Sequence, residues 1–256
     1  MACADSTLSP LVGIFSPGHR TLLGAGLLLG TALAVLWGRR WRLRPMAVVD
    51  GALAAAGGGL LAGRATYVAA NWAYFHNHRA EALQVWQGGL SAPGALVGAL
   101  IAVFILCRVR RIDPRPLLDA LAPGAAVVAS CAWVGCLEAG CAWGLEVWPG
   151  QGLLWSLSAE LPDLHGLRAP RVAVQALGAG WYGLSLAGIL LLGRQGRAFP
   201  LWLLLHAAGD FGLSFLRGDL ARPALGLAVA QMVDLALALV GLVLLAIPEW
   251  RPGSVD

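Results

Sequence analysis

Residues 46–75 read MAVVDGALAAAGGGLLAGRATYVAANWAYF and carry only two charges, Asp50 and Arg64. A run of about 20 apolar residues is long enough to cross the hydrocarbon core of a bilayer as a helix. The rest of the 256-residue chain has the same character, with 58% hydrophobic and 12% charged residues, against roughly 25% charged in soluble domains. The stretch and the composition therefore predict a membrane protein.

Further apolar runs of similar length follow along the chain and predict an all-α, polytopic membrane helix bundle that forms a single domain over residues 1–256. Helix is favoured because an open sheet edge in lipid would leave backbone groups without hydrogen bonds. We predict about seven spans, at 21–38, 46–75, 88–107, 117–137, 172–193, 199–216 and 224–247.

Arginines occupy every second connection, and the chain contains no lysine. They lie at 39–44, 108–115 and 194–197 and at Arg251. The positive-inside rule places these connections in the cytoplasm, which predicts an outside N-terminus and a cytoplasmic C-terminus. The net charge of +4 does not indicate nucleic-acid binding, because the arginines form no separate basic domain.

The longest connection on the outer side, 138–171, contains Trp143, Trp148 and Trp155. Tryptophan favours the membrane–water interface, so we expect this segment to lie along the outer surface, with a short interfacial helix near 152–160. An aromatic belt and a role in binding a lipid substrate both explain these residues.

Ionisable side chains inside spans are costly and point to functional sites by default. Asp50 and Asp119 lie near arginines, where a helix cap or a salt bridge is expected. We interpret His206 and Asp210, one turn apart, as a structural pair. Arg64 needs an anionic partner, and together with Arg217 it is suited to clamp a lipid phosphate. The ionisable residues within spans are Asp50, Arg64, Asp119, His206, Asp210 and Asp234.

Five cysteines, an odd number, do not describe a disulfide framework. Cys131, Cys136 and Cys141 are spaced by five residues, and each step turns about 140° around a helix. They do not share one face unless the helix breaks at Gly135 or Gly140. We therefore predict no metal site and no cofactor.

Several motifs follow one another in order along the chain. Gly63-Arg64 precedes Trp-Gln-Gly-Gly-Leu-Ser at 86–91, and residues 135–144 read Gly-Cys-Leu-Glu-Ala-Gly-Cys-Ala-Trp-Gly. Arg-Ala-Pro follows at 168–170, Phe-Leu-Arg-Gly-Asp at 215–219, and then Gln231. The order resembles the prolipoprotein diacylglyceryl transferase family, with a cysteine-containing variant of its central motif. The Trp-Gln-Gly-Gly-X-Ser motif is the most specific of these pieces.

The resemblance implies a seven-helix enzyme of the bacterial inner membrane that transfers diacylglyceryl from phosphatidylglycerol to the lipobox cysteine thiol of a prolipoprotein. Such a reaction needs a thiolate, and positive charge to stabilise the departing phosphate. His165 is a candidate base. The resemblance implies that substrate is bound by Arg64, Gln87, Gly88, Gly89, Ser91, Gly135, Gly140, Gly144, Arg168, Arg217 and Asp219.

Other polar positions of the family are replaced in this chain. The family's histidines fall on Pro93 and Ala169, and two of its arginines fall on Trp133 and Asp210. Further replacements of its polar residues fall on Cys136, Val174, Gln175 and Ser214. Two interpretations follow: a transferase with a rearranged site, or an inactive or repurposed homologue that binds lipid or a membrane partner.

Overall fold

A computed structural model describes residues 17–163, 165–220 and 226–247. Cys3, Arg251 and the first residues of the last predicted span, 224–225, lie outside them. The long helices are α1 (Pro17–Gly38), α2 (Pro45–Ala70), α4 (Ala92–Arg110), α5 (Pro114–Ala139), α7 (Val174–Leu192), α8 (Ala198–Ser214) and α9 (Val229–Ala246). The short elements are α3 (Trp72–Phe75), α6 (Leu153–Ser156), β1 (Ser158–Pro162) and β2 (Arg168–Val172).

The predicted class, a polytopic helical membrane protein, is confirmed. Within the described ranges, six helices are long and apolar enough to cross a membrane. The predicted span 199–216 corresponds to α8, which has 17 residues and rises about 25 Å at 1.5 Å per residue. That length is somewhat less than the roughly 30 Å of a bilayer's hydrocarbon core.

Two predicted helix boundaries are wrong for local reasons. The second span does not continue unbroken to residue 75, because α2 ends at Ala70 and Asn71 interrupts it before α3. The third span begins at Ala92 rather than at residue 88, because Gly88 and Gly89 have φ angles of +96° and +76°. Glycine adopts these left-handed backbone conformations readily, and they cannot form part of a right-handed helix.

Small residues let the helices approach closely. A Cβ atom on Gly30 of α1 would lie 2.7 Å from the carbonyl oxygen of Gly124 on α5. A Cβ atom on Gly58 of α2 would lie 2.6 Å from the carbonyl oxygen of Gly98 on α4. In both helix pairs, small side chains therefore allow the backbones to come into direct contact.

Three arginine-bearing connections meet at one end of the bundle, which we call the arginine end (39–44, 108–115 and 194–197). Arg110 forms a 3.4 Å ion pair with Asp50. The carboxylate of Asp119 accepts hydrogen bonds from the backbone N–H groups of Gly196 and Phe199 (2.8 Å for the latter) and so caps the start of α8. The salt bridge and the cap expected for these two aspartates are both confirmed.

The opposite end carries a small β-layer, which we call the loop sheet (144–147, β1, β2 and 216–218). Strands β1 and β2 pair antiparallel, with Ser158 opposite Val172. The 144–147 segment lies between β2 and 216–218, through Val147 N–H to Pro170 O (2.9 Å) and Leu145 N–H to Leu216 O (2.8 Å). The interfacial helix predicted near 152–160 is wrong beyond α6, because residues 158–162 pair with β2.

We predict that Gly58→Ala destabilises the protein by about 1–3 kcal/mol, because the added methyl group would overlap α4. The inserted Cβ would lie 2.3 Å from the Ala102 Cβ and 2.6 Å from the Gly98 carbonyl. The matched control is Gly57→Ala, where a Cβ meets nothing within 4 Å. Thermal unfolding in detergent measures both, and equal melting temperatures for the two variants would contradict the proposed close contact.

Candidate functional site

Arg64 lies near the end of α2 that is remote from the arginine end, and only 7% of it is exposed. Its guanidinium donates to four main-chain carbonyls of the following connection. Nε bonds to Ala82 O (2.9 Å), Nη1 to Gly88 O and to Gly89 O (3.0 Å), and Nη2 to Glu81 O. A guanidinium has five N–H donors, so four of them are engaged inside the protein. The structure thus differs from the predicted clamp, in which Arg64 contacts a lipid phosphate directly.

The Gly88-Gly89 pair presents these carbonyls to Arg64. Both residues have positive φ, and a Cβ atom on Gly89 would lie 2.3 Å from the Tyr67 ring. Only glycine therefore fits the second position without displacing the ring. The preceding Gln87 ends a 3₁₀ helix (Val85–Gln87). Arg64, Gly88 and Gly89, predicted separately as site residues, form one folded unit.

Ser91 links this unit to α4. Its N–H donates to Gly63 O (3.0 Å), and its Oγ accepts from the Gly94 N–H (3.3 Å) as the N-cap of α4. Pro93 occupies the first turn of α4, where proline lacks only an N–H that a helix start leaves unpaired. The histidine that the resemblance places here is thus replaced by a residue that favours helix initiation.

Cys136 and Cys141 form a disulfide, with their Cα atoms 4.8 Å apart. The odd number of cysteines did not predict this disulfide, but the helix breaks at Gly140, one of the two positions named as an exception, because α5 ends at Ala139 and Gly140 adopts φ +68°. That turn brings Cys141 back to the last turn of the helix, where its N–H donates to Cys136 O (3.2 Å). A Cβ atom on Gly140 would lie 2.6 Å from the Asp163 carbonyl oxygen, so the hairpin formed by β1 and β2 packs directly on this turn.

His19 lies beside the disulfide and is absent from the sequence prediction. A Cβ atom on Gly135 would lie 2.5 Å from the His19 Nδ1, so glycine is required there for the ring to fit. One donor atom each of His19, Cys136 and Cys141 lies within 4.8 Å of the others. His19 is far from residues 135–141 in sequence, and only the packing of α1 against α5 brings them together.

Arg217 and Asp219 pair with each other beside Gly144. Arg217 donates from Nε to Asp219 Oδ1 (2.9 Å) and from Nη2 to Oδ2 (2.7 Å) in a bidentate contact. Gly144 forms a β-bridge with Arg217, and a Cβ atom on Gly144 would lie 2.0 Å from Val172 O. The close approach of the strands therefore requires glycine at position 144. The Asp219 carboxylate neutralises the Arg217 guanidinium.

Arg171 is the most buried charge of the loop sheet, at 5% exposed. It pairs with Glu146 (2.7 Å) and Asp163 (3.4 Å), and its Nε has no hydrogen-bond partner among the described residues. Arg171 is absent from the predicted site residues. It lies at the buried end of β2, directly before the fully buried Val172, whereas Arg168 lies at the exposed start of the same strand.

His165 lies exposed in the turn between β1 and β2, and Arg168 is the exposed first residue of β2. Asp163 organises this turn, because its Oδ1 accepts from the backbone N–H groups of His165 (2.8 Å) and Leu167 (3.0 Å). The predicted base is therefore solvent-facing, on a turn whose backbone is fixed by a neighbouring carboxylate.

A comparison with known families covers most of the chain. A family model described as prolipoprotein diacylglyceryl transferase matches residues 21–247. The chain belongs to this family.

Curated members of the family resemble the chain over different lengths. The phosphatidylglycerol–prolipoprotein diacylglyceryl transferase of Bacillus licheniformis is 28% identical over 90% of this chain and 87% of its own length. The Nocardia farcinica protein of the same name is 29% identical over 86% of the chain and 50% of its own length. That of Pediococcus pentosaceus is 35% identical over 44% of the chain, and the match spans only 41% of that relative.

We predict that Arg64→Ala loosens the connection at 79–89, because four carbonyls lose their shared donor and each unpaired carbonyl costs roughly 1–3 kcal/mol. Amide hydrogen exchange across 79–91 measures this directly, and we expect at least about a tenfold acceleration, equivalent to about 1.4 kcal/mol. Arg79→Ala is the control, because Arg79 is exposed and donates only to His76 O at 3.3 Å. Equal exchange in both variants would contradict the role assigned to Arg64.

The disulfide predicts a specific alkylation pattern. Cys107 and Cys131 are free thiols, whereas Cys136 and Cys141 are joined. Among the four cysteines of the described residues, alkylation of denatured protein without reductant should therefore modify Cys107 and Cys131 but not Cys136 or Cys141, and prior reduction should add Cys136 and Cys141. Peptide mass spectrometry reads each site. Modification of Cys136 before reduction would show that the pair is not joined.

Proposed function

We propose that the chain transfers diacylglyceryl from phosphatidylglycerol to the lipobox cysteine thiol of a prolipoprotein, as a multi-pass protein of the bacterial inner membrane. The observation that carries the proposal is the family match over residues 21–247. Relatives that bear this activity in their names, with 28–29% identity over most of the chain, support it.

In the proposed orientation the arginine end faces the cytoplasm and the loop sheet faces the outer side. The positive-inside rule supports this orientation, because the arginines of 39–44, 108–115 and 194–197 meet at one end of the bundle. The loop sheet then lies at the depth of the phospholipid head groups, where donor lipid and lipobox both arrive.

The proposed reaction forms a bond between the lipobox sulfur and the terminal glyceryl carbon of the diacylglyceryl group, and breaks the bond between that carbon and the phosphate oxygen. Glycerol phosphate leaves with the electron pair, and the thiol proton passes to a base. We propose that Arg168 and Arg217 bind the phosphate and that His165 takes the proton. Arg64 acts in this proposal as a positioning residue, because its donors hold the Gly88-Gly89 turn.

The second candidate is an inactive or repurposed homologue that binds lipid or a membrane partner. A specific observation favours it: apart from the exposed Arg168, three arginines that could bind phosphate are already engaged inside the protein. Arg64 donates to main-chain carbonyls, Arg217 is paired with Asp219, and Arg171 is paired with Glu146 and Asp163. A phosphate would have to displace Asp219 to gain both Arg217 contacts.

The experiment supplies the gene to bacteria depleted of their own transferase and follows lipoprotein maturation by mass. The first candidate predicts restored modification. It also predicts that Arg217→Ala lowers the modification rate about tenfold or more, because a charged hydrogen bond to phosphate contributes about 1.5–3 kcal/mol. Arg79→Ala is the surface control and should match the unaltered chain.

Failure to restore modification, with the protein present and folded in the membrane, would contradict the transferase proposal. If the purified protein then still bound phosphatidylglycerol vesicles in an Arg217-dependent manner, the second candidate would be supported.

A further inference from the structure

A polar cluster that is buried on α7 and α9 and half-buried on α8 joins three helices of the bundle. We define it as Tyr182 of α7, His206 and Asp210 of α8, and Asp234 of α9. The Tyr182 hydroxyl lies 2.5 Å from His206 Nδ1 and 2.9 Å from Asp210 Oδ1, and the indole of Trp202 stacks on the His206 ring at 5.3 Å. The structural pairing expected between His206 and Asp210 is thus only part of a larger arrangement.

The hydrogen bonds of Tyr182 fix the state of the histidine. A phenol has one proton, and an ionised carboxylate only accepts, so Tyr182 donates to Asp210 and accepts from His206 Nδ1–H. In the neutral ring the Nε2 atom then carries the lone pair and no proton. A histidine that binds a metal ion through one ring nitrogen is commonly oriented by a hydrogen bond of this kind at its other ring nitrogen.

The remaining donor atoms converge without satisfying one another. His206 Nε2 and Asp210 Oδ2 are 4.0 Å apart, too far for a hydrogen bond. Asp234 is 5% exposed, and its Oδ2 has no hydrogen-bond partner among the described residues. One donor atom each from His206, Asp210 and Asp234 lies within 4.8 Å of the others. Atoms bound tetrahedrally to one zinc ion at about 2.0–2.2 Å stand roughly 3.3–3.6 Å from each other, so the three side chains must close by up to about 1.5 Å when the ion binds.

The charges of the cluster also point to a cation. Among the ion pairs of the described ranges, no arginine reaches Asp210 or Asp234, and the chain has no lysine. Carboxylates inside an apolar bundle are strongly destabilised unless they are paired or coordinate a metal ion. One divalent cation would compensate the negative charges of both carboxylates.

We propose that His206, Asp210 and Asp234 bind a divalent transition-metal ion, with zinc the best fit to one imidazole nitrogen and two carboxylate oxygens. Tyr182 is a positioning residue that holds the tautomer of His206 and one oxygen of Asp210. Three protein ligands leave a fourth coordination position for water or another small ligand. The site does not depend on the proposed transferase activity, and its test measures metal binding alone.

The experiment purifies the full chain in detergent through a tag that contains no histidine, strips it with chelator and titrates it with zinc. We expect about one zinc per chain after removal of excess metal, measured by elemental mass spectrometry. The isosteric Asp234→Asn and Asp210→Asn variants should lose that zinc. Tyr182→Phe should bind about 10–100-fold more weakly, because the histidine loses its orienting partner.

Two controls keep the result interpretable. Cys136→Ser combined with Cys141→Ser removes the only other group of three metal-ligating residues found in the described part of the chain, and it should retain the zinc. Zinc should also raise the unfolding temperature of the unaltered chain but not that of Asp234→Asn. Less than about one-tenth equivalent in the unaltered chain, or equal binding by Asp234→Asn, would overturn the proposal.

Discussion

The hydrocarbon core offers no water, so every polar group within the bundle must find its partner inside the protein. This constraint explains most of the polar contacts in the structure. Asp119 accepts from the start of α8, Arg64 donates to the carbonyls of the 79–89 connection, and Tyr182 joins His206 to Asp210. Each contact crosses between segments that are distant in sequence, and each therefore fixes tertiary structure as well as satisfying a charge.

The same constraint changes how the motifs of the family are understood. The Gly88-Gly89 turn and Arg64 form a self-contained unit, in which two glycines with positive φ present their carbonyls to the guanidinium donors. The loop sheet is a second unit, held by Gly144, by the hairpin and by the bidentate pair of Arg217 and Asp219. The motif residues with the clearest contacts are therefore those that shape the backbone. The positions at which the resemblance implies a replacement, such as Pro93, Cys136 and Asp210, have contacts of their own: a helix start, a disulfide and the polar cluster.

Much of the fold could be predicted from the sequence, because the length of each apolar run and the spacing of the arginines can be counted along the chain. The bilayer thickness sets the first and the membrane orientation sets the second. Asp50 and Asp119 were also predictable, since each stands close to an arginine-rich connection. The disulfide was not, because the break at Gly140 depends on a left-handed turn packed against Asp163. His19 and Asp234 belong to clusters built by helices far apart in the chain, for which no sequence spacing gives a signal. The loop sheet was missed for the same reason. Its central segment, 144–147, pairs with β2 on one side and with 216–218 on the other, and both partners come later in the chain.

We propose that the chain keeps the family scaffold and carries out the transfer with Arg168 and Arg217 of its motifs, together with His165. The most direct measurement places purified protein in nanodiscs of phosphatidylglycerol, adds a lipobox peptide and determines the intact mass of the peptide. We expect a gain of one diacylglyceryl group on the cysteine, through a bond that resists reagents that cleave thioesters. Unmodified peptide, under conditions in which the Bacillus licheniformis relative modifies it, would contradict the claim.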